Sequence, residues 1–135
     1  SDGGDRGIEA DNNGDDNMAE PYSNPTLSNI TLIGMNDGDN SNTGIRLREG
    51  TKGRIYNIQI TGFPNYGVRV SDQVTFDNVG NNKLYLSNTN VVNNGLNWKD
   101  CDFSQISETL NEAWFDYDIE IGAGSNWTDE WVIGL

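Results

Sequence analysis

Ser28-Asn29-Ile30-Thr31-Leu32-Ile33-Gly34, Tyr56-Asn57-Ile58-Gln59-Ile60-Thr61-Gly62 and, more loosely, Ser87-Asn88-Thr89-Asn90-Val91-Val92-Asn93 are three versions of one phrase. A second phrase is interleaved with it: Gly7-Ile8-Glu9-Ala10, Gly44-Ile45-Arg46-Leu47 and Gly67-Val68-Arg69-Val70. Both alternate apolar and polar residues with period two, which is the pattern of a strand that buries one face. Two different strands recurring at an interval of a few tens of residues describe a coil repeated along one axis. The chain therefore reads as a parallel β-solenoid.

Aligning the phrases sets an expected register. Ile58 and Ile60 stack on Ile30 and Leu32, Thr89 and Val91 follow them, and Val68 and Val70 sit on Ile45 and Leu47. Val74, Phe76 and Val79 are assigned to a third side of the coil. In this register Asn29, Asn57 and Asn88 share one column. Stacked identical amides can hydrogen-bond as a ladder, or Asn can simply tolerate a tight bend in a left-handed conformation. Nothing reactive accompanies the column.

At 135 residues the chain has room for one domain with a modest core. Only 34% of residues are hydrophobic, but 4 Trp, 4 Phe and 5 Tyr together with periodic β-branched runs argue for a folded chain. A formal net charge of -13 repels a phosphate backbone, so nucleic acid is excluded as a partner class. Cys101 is the sole cysteine, which rules out an intrachain disulfide and a cysteine-rich zinc site. No apolar run is long enough for a transmembrane helix, and no signal-peptide pattern opens the sequence. The first strand phrase begins almost at once, with no capping element before it. A solenoid end needs covering. The expectation is therefore that the chain starts partway through a longer solenoid, or that an acidic extension, an upstream β-helix chain or a homo-oligomer contact covers the first coil.

The pattern divides the chain into coils with acidic Asn/Asp/Gly loops over residues 1–95 and a Trp-rich C-terminal capping module over residues 96–135. Within the latter, the spacing of Ile106, Leu110, Ala113 and Trp114 predicts a short amphipathic helix over residues 105–115. Residues 116–121 follow as a strand. The loop over residues 11–26, closed by Pro21 and Pro25, is expected to project from the solenoid.

Two acidic loops are candidate Ca2+ sites. Asp11, Asn13 and Asp15 alternate in the first, and Asp37 and Asp39 in the second. Alternating oxygen donors on a flexible loop suit an ion that takes six to eight oxygens. Neither loop completes the helix-flanked calcium motif, since Asp16 and Asn42 stand where it needs Gly, and Tyr22 and Arg48 where it needs Glu. A solvated acidic loop is the competing reading.

Without His, a nucleophilic triad of the usual kind is excluded. Glu9 with Asp11, or Glu49 with Asp72, could form a hydrolytic carboxylate pair only if the fold held them a few ångströms apart, and the spacing does not demand it. Arg46 and Arg69 occupy the same place in successive phrases, with Glu9 at the matching place in the first. These three are the candidate ligand-facing residues: an arginine there could neutralise a sugar carboxylate or act as a base. The alternative is a cross-strand charge column that stabilises the face modestly.

Asp5-Arg6-Gly7-Ile8-Glu9-Ala10-Asp11, Asn24-Pro25-Thr26-Leu27-Ser28-Asn29-Ile30-Thr31-Leu32-Ile33-Gly34, Thr43-Gly44-Ile45-Arg46-Leu47-Arg48-Glu49-Gly50 and the Asn93-Asn94-Gly95 turn resemble the right-handed parallel β-helix superfamily of pectin-lyase-like proteins. The likeness is nearest to the C-terminal part of bacterial secreted or outer-surface β-helix proteins. It implies an extracellular or cell-surface location and polysaccharide as a candidate ligand. Enzymes of that superfamily use calcium-bound carboxylates with a lysine or arginine base, or clustered aspartates, and no contiguous motif of that kind stands in this sequence. The leading expectation is a non-catalytic structural or binding module of an extracellular β-helix protein, with Ca2+ as a candidate stabilising ion. A fragment of a calcium-dependent polysaccharide lyase or related carbohydrate-active enzyme is the alternative, and a subunit of a larger assembly is the third.

Overall fold

The computed structural model describes residues 5–35 and 42–99. Seven strands and one helix follow in the order β1 (Arg6–Asp11), β2 (Thr26–Ile33), β3 (Thr43–Arg48), β4 (Gly53–Thr61), β5 (Tyr66–Val70), α1 (Gln73–Gly80), β6 (Leu84–Val92) and β7 (Leu96–Lys99). Odd-numbered strands form one parallel sheet, ordered β1-β3-β5-β7, and even-numbered strands form the other, ordered β2-β4-β6. Each pairing joins elements one coil apart, so the two sheets wind around a shared interior as a parallel β-helix. The capping module expected over residues 96–135 begins with β7, which still pairs with β5. The helix and strand expected over residues 105–121 lie outside the described residues.

The register follows the repeated phrases. Ile30 pairs with Ile58 and Leu32 with Ile60. Ile58 and Ile60 pair in turn with Thr89 and Val91. Ile45 and Leu47 pair with Val68 and Val70. Inward positions of the central coils are fully withdrawn from water, with Ile45, Leu47, Ile58, Ile60, Val68 and Val70 all at 0% exposure. Burying each such side chain stabilises by about 1.5–3 kcal/mol. Ile8, Ala10, Leu27, Ile30 and Leu32 of the first coil pack against this core and are only partly buried.

Strict alternation breaks once in each strand of the second sheet. Leu27, Ile30 and Leu32 pack on the core, as do Ile55, Ile58 and Ile60 in the next coil, so the inward spacing is three residues and then two. Between them Asn29, Asn57 and Asn88 have φ of 57°, 54° and 51°. One left-handed residue per coil bends the strand, restores the inward phase and lets a single ladder cover two sides of the core. Asn tolerates that region better than other side chains. Asn57 Nδ2 also donates to Asn29 Oδ1 at 2.8 Å. The column is therefore a bend at all three places and, between Asn29 and Asn57, a ladder as well.

The third side is helical rather than extended. Asp72 caps α1 by accepting from Thr75 N at 2.8 Å and from Thr75 Oγ1 at 3.0 Å. Phe76 and Val79, about one helical turn apart, then join the core as expected, whereas Val74 is only partly buried and Thr75 takes the fully buried place beside them, because the helical period turns a different face inward than a strand would. Asp72 also accepts from Glu49 N at 2.5 Å, and Asn78 Nδ2 donates to Gly50 O and Thr51 O. These bonds stitch α1 to the turn between β3 and β4.

The loop over residues 11–26 is tied at its base rather than standing clear. Asn13 N donates to Glu49 O, Lys52 N to Ser23 O, and Ser23 N to Asn12 Oδ1. Its tip, residues 13–16, is exposed throughout.

Candidate functional site

The outer face of the first sheet gathers the charged residues singled out by the repeat. Period-two alternation turns Ile8, Ile45 and Val68 to the core, so their neighbours in sequence point away from it. Glu9 is in register with Arg46, Arg46 with Arg69, and Arg69 with Lys99. Adjacent strands stand about 4.8 Å apart, so these four side chains form one column. Asp11 and Arg48 begin a second column two residues along.

The two columns are cross-linked at the first coil. Glu9 lies 3.0 Å from Arg48 Nε, 3.4 Å from Arg6 Nη1 and 3.6 Å from Arg46 Nη1. Arg48 grips Asp11 with two bonds, Nε to Oδ1 at 2.8 Å and Nη2 to Oδ2 at 2.9 Å, and reaches Glu49 at 3.5 Å. That paired geometry is the strong form of a guanidinium–carboxylate contact. Arg46 Nε donates to Ser71 Oγ at 3.0 Å. Farther along the column, the Arg69 guanidinium lies 5.3 Å from the centre of the Tyr66 ring.

The arginines two residues apart on β3 sit in opposite electrostatic environments. Burial, and then the guanidiniums of Arg6, Arg69 and Arg48, push Arg46 below the usual guanidinium range, against the pull of Glu9. Arg48 is raised, chiefly by its hydrogen bond to Asp11. Arg48 is thus the clamp of this face, while Arg46 is held in it against repulsion from its neighbours.

The calcium candidates behave differently from one another. Asp11 is engaged by Arg48, and Asn13 Oδ1 accepts from the backbone of Asp15 and Asp16. Asp16 Oδ1 accepts from Met18 N, which makes the tip a self-contained turn. Among the described residues no group of three or more acidic, His or Cys side chains converges as a cation would require. In this conformation Asp11 and Asn13 already have partners within the chain. Asp37 and Asp39 lie outside the described residues. Of the carboxylate pairs, Asp72 is committed to capping α1 and to Glu49 N, so its contact with residue 49 is to the backbone.

Sequence reading found the Glu9–Arg46–Arg69 column and missed Arg48 and Ser71. The signal was available: Glu9-Ala10-Asp11 set against Arg46-Leu47-Arg48 puts two acids opposite two bases on one outward face.

A parallel β-helix with two interleaved sheets and an outward arginine column falls within the class of pectin-lyase-like solenoids. The sequence matches the model of the pectate-lyase like beta helix domain over residues 1–134, and the chain belongs to that family. No curated protein and no solved structure matches it.

Proposed function

We propose that the chain is a non-catalytic structural and binding module of an extracellular β-helix protein, with acidic polysaccharide as the ligand of its first-sheet face. The observation that carries this reading is the use made of the acids and bases on that face. Glu9, Asp11, Arg46 and Arg48 are engaged with one another across β1 and β3. They brace adjacent coils, with the Glu9 and Asp11 carboxylates both turned onto Arg48. Arg69 and Lys99 continue the column as a local run of cations, which supports an anionic polymer at this face against the chain's net charge of -13. No step of this reading runs through Ca2+.

The first coil supports a partner of the same kind. Its inward residues are only partly buried, and β1 and β2 each pair along one edge. A further β-helix coil, from an upstream segment, another chain or a second copy, would complete their burial.

One observation favours the lyase alternative. Arg46 stands in the outward column between Glu9 and Arg69, the place where a lyase of this class would need its base. Incubation with polygalacturonate and with alginate, with Ca2+ added, separates the two. Retention of the protein on immobilised polymer without formation of unsaturated sugar ends supports the binding module. Ultraviolet-absorbing unsaturated ends that disappear in Arg46→Ala overturn it.

A further inference from the structure

The tip of the first loop carries a dipeptide whose side-chain amide can react with its own backbone. Asn-Gly stands twice in the sequence, at Asn13-Gly14 and at Asn94-Gly95. Gly has no Cβ to shield its nitrogen, and the amide carbon of the preceding Asn is one short ring closure away. The fold treats the two copies in opposite ways.

At Asn94-Gly95 the reacting groups are committed elsewhere. Gly95 N donates to Phe63 O at 2.9 Å. Asn94 Oδ1 accepts from Phe63 N at 3.0 Å, and Asn94 Nδ2 donates to Val92 O at 3.0 Å and to Asn97 Oδ1 at 3.2 Å. A Cβ at Gly95 would lie 2.0 Å from Pro64 O, so the turn is also pressed against neighbouring backbone. Ring closure there has to break these contacts first.

At Asn13-Gly14 the same groups are open. Both residues are exposed, and among the described residues neither Gly14 N–H nor Asn13 Nδ2 has a hydrogen-bond partner. Asn13 Oδ1 accepts from Asp15 N at 2.9 Å and from Asp16 N at 3.2 Å. Two backbone donors thus already face the oxygen that gains negative charge when the amide carbon is attacked. The Glu49 carboxylate rests against Gly14, since a Cβ built there would lie 3.2 Å from Oε1 and 3.3 Å from Oε2. It is held in place, because Glu49 O accepts from Asn13 N, Glu49 N donates to Asp72, and Oε1 lies 3.5 Å from Arg48 Nη1.

We propose that Asn13 is a site of spontaneous deamidation, assisted by the Asp15 and Asp16 amides and by Glu49 as proton acceptor. Gly14 N bonds to Asn13 Cγ as its proton passes to the Glu49 carboxylate. The Cγ–Nδ2 bond then breaks, the proton moves to the departing nitrogen, and ammonia leaves a cyclic imide. Water opens that ring at either carbonyl, giving aspartate or isoaspartate at position 13. One water is consumed and one ammonia released. Either product adds a negative charge beside Asp15, Asp16 and Glu49. The isoaspartyl product also lengthens the backbone before Gly14, so the modification loosens the loop from the turn between β3 and β4.

The test is to age the full chain in native buffer and in urea, then map its peptides with fragmentation that separates isoaspartate from aspartate. In the folded chain conversion at position 13 should run about tenfold or more faster than at position 94, and the two should converge in urea. Glu49→Gln should slow position 13 several-fold while position 94, still protected, reports that the fold is retained. The proposal is overturned if the two positions convert equally in the folded chain, if urea accelerates position 13 as much as position 94, or if Glu49→Gln leaves position 13 unchanged.

Discussion

Arg48 on β3 and Asp11 on β1, 37 residues apart in sequence, are joined by two hydrogen bonds of 2.8 and 2.9 Å across adjacent coils. The pair closes the gap between a strand and the coil stacked beneath it, where the backbone ladder has already fixed the register. Its side chains are each 31% exposed, so solvent screens part of the attraction.

A double-mutant cycle with Asp11→Asn and Arg48→Met should therefore give a coupling of about 1 kcal/mol. The coupling should shrink as salt is raised. Chemical denaturation at two salt concentrations measures it. A coupling indistinguishable from zero at low salt would mean that the bidentate geometry does not brace the coils.

Arg46→Met should behave in the opposite sense to Arg48→Met. The folded-state pKa of Arg46 lies below its ordinary value, chiefly through burial, so the protonated form is disfavoured by folding, and that penalty is present in full at every pH below the folded pKa. Arg48 is raised, chiefly by its hydrogen bond to Asp11, so its contribution is favourable and is complete at every pH below the ordinary guanidinium range. Across the neutral range neither contribution varies. Thermal melts should show Arg48→Met lowered and Arg46→Met unchanged or raised, with the same ordering from mildly acidic to mildly alkaline buffer.

The parts of the fold legible in sequence are those written in periodicity. Ile30, Ile58 and Thr89 fall in one column because the phrase recurs with its apolar residues in the same places. The helix at Gln73–Gly80 was less visible, since Val74, Phe76 and Val79 over so short a span fit either period, although Asp72 three residues before Thr75 is a local N-cap signal that its bond to Glu49 N then ties to the preceding turn. The base of the first loop was hidden for a similar reason: Asn12 bonds Ser23, Asn17 and Ala19 without any repeat to announce it. At the charged face the column of Glu9, Arg46 and Arg69 follows from the repeat. The role of Arg48 required opposing two phrases instead of aligning them.

The Asn column separates two effects that one substitution would confuse. Asn57→Ala loses both the bond to Asn29 and the side chain suited to φ of 54°. It should destabilise by about 1–2 kcal/mol, the cost of a left-handed L-residue. Asn57→Gly keeps the bend and removes the side chain with its exposed bond to Asn29, worth about 0.5–1 kcal/mol. A smaller loss for Gly than for Ala in equilibrium denaturation is the expected order, and the reverse order would make the ladder, not the bend, the reason for Asn at this place.

The glycines that open the first-sheet phrase test how tightly the two sheets meet. A Cβ on Gly44 would lie 2.4 Å from Ile60 Cγ2 and 2.6 Å from Gly67 O. The first neighbour is a core side chain at 0% exposure, and the second is backbone held in the next coil, so neither can move away cheaply. Gly44→Ala should destabilise by about 1–3 kcal/mol through overpacking. Ile60→Ala in the same chain would relieve the clash with Cγ2 but not that with the carbonyl, and it would leave a cavity. The double variant should remain less stable than either the wild type or Gly44→Ala alone. If instead it recovers stability relative to Gly44→Ala, the approach of the Gly67 carbonyl is not what excludes a side chain at residue 44, and the inter-sheet corner is softer than its geometry implies.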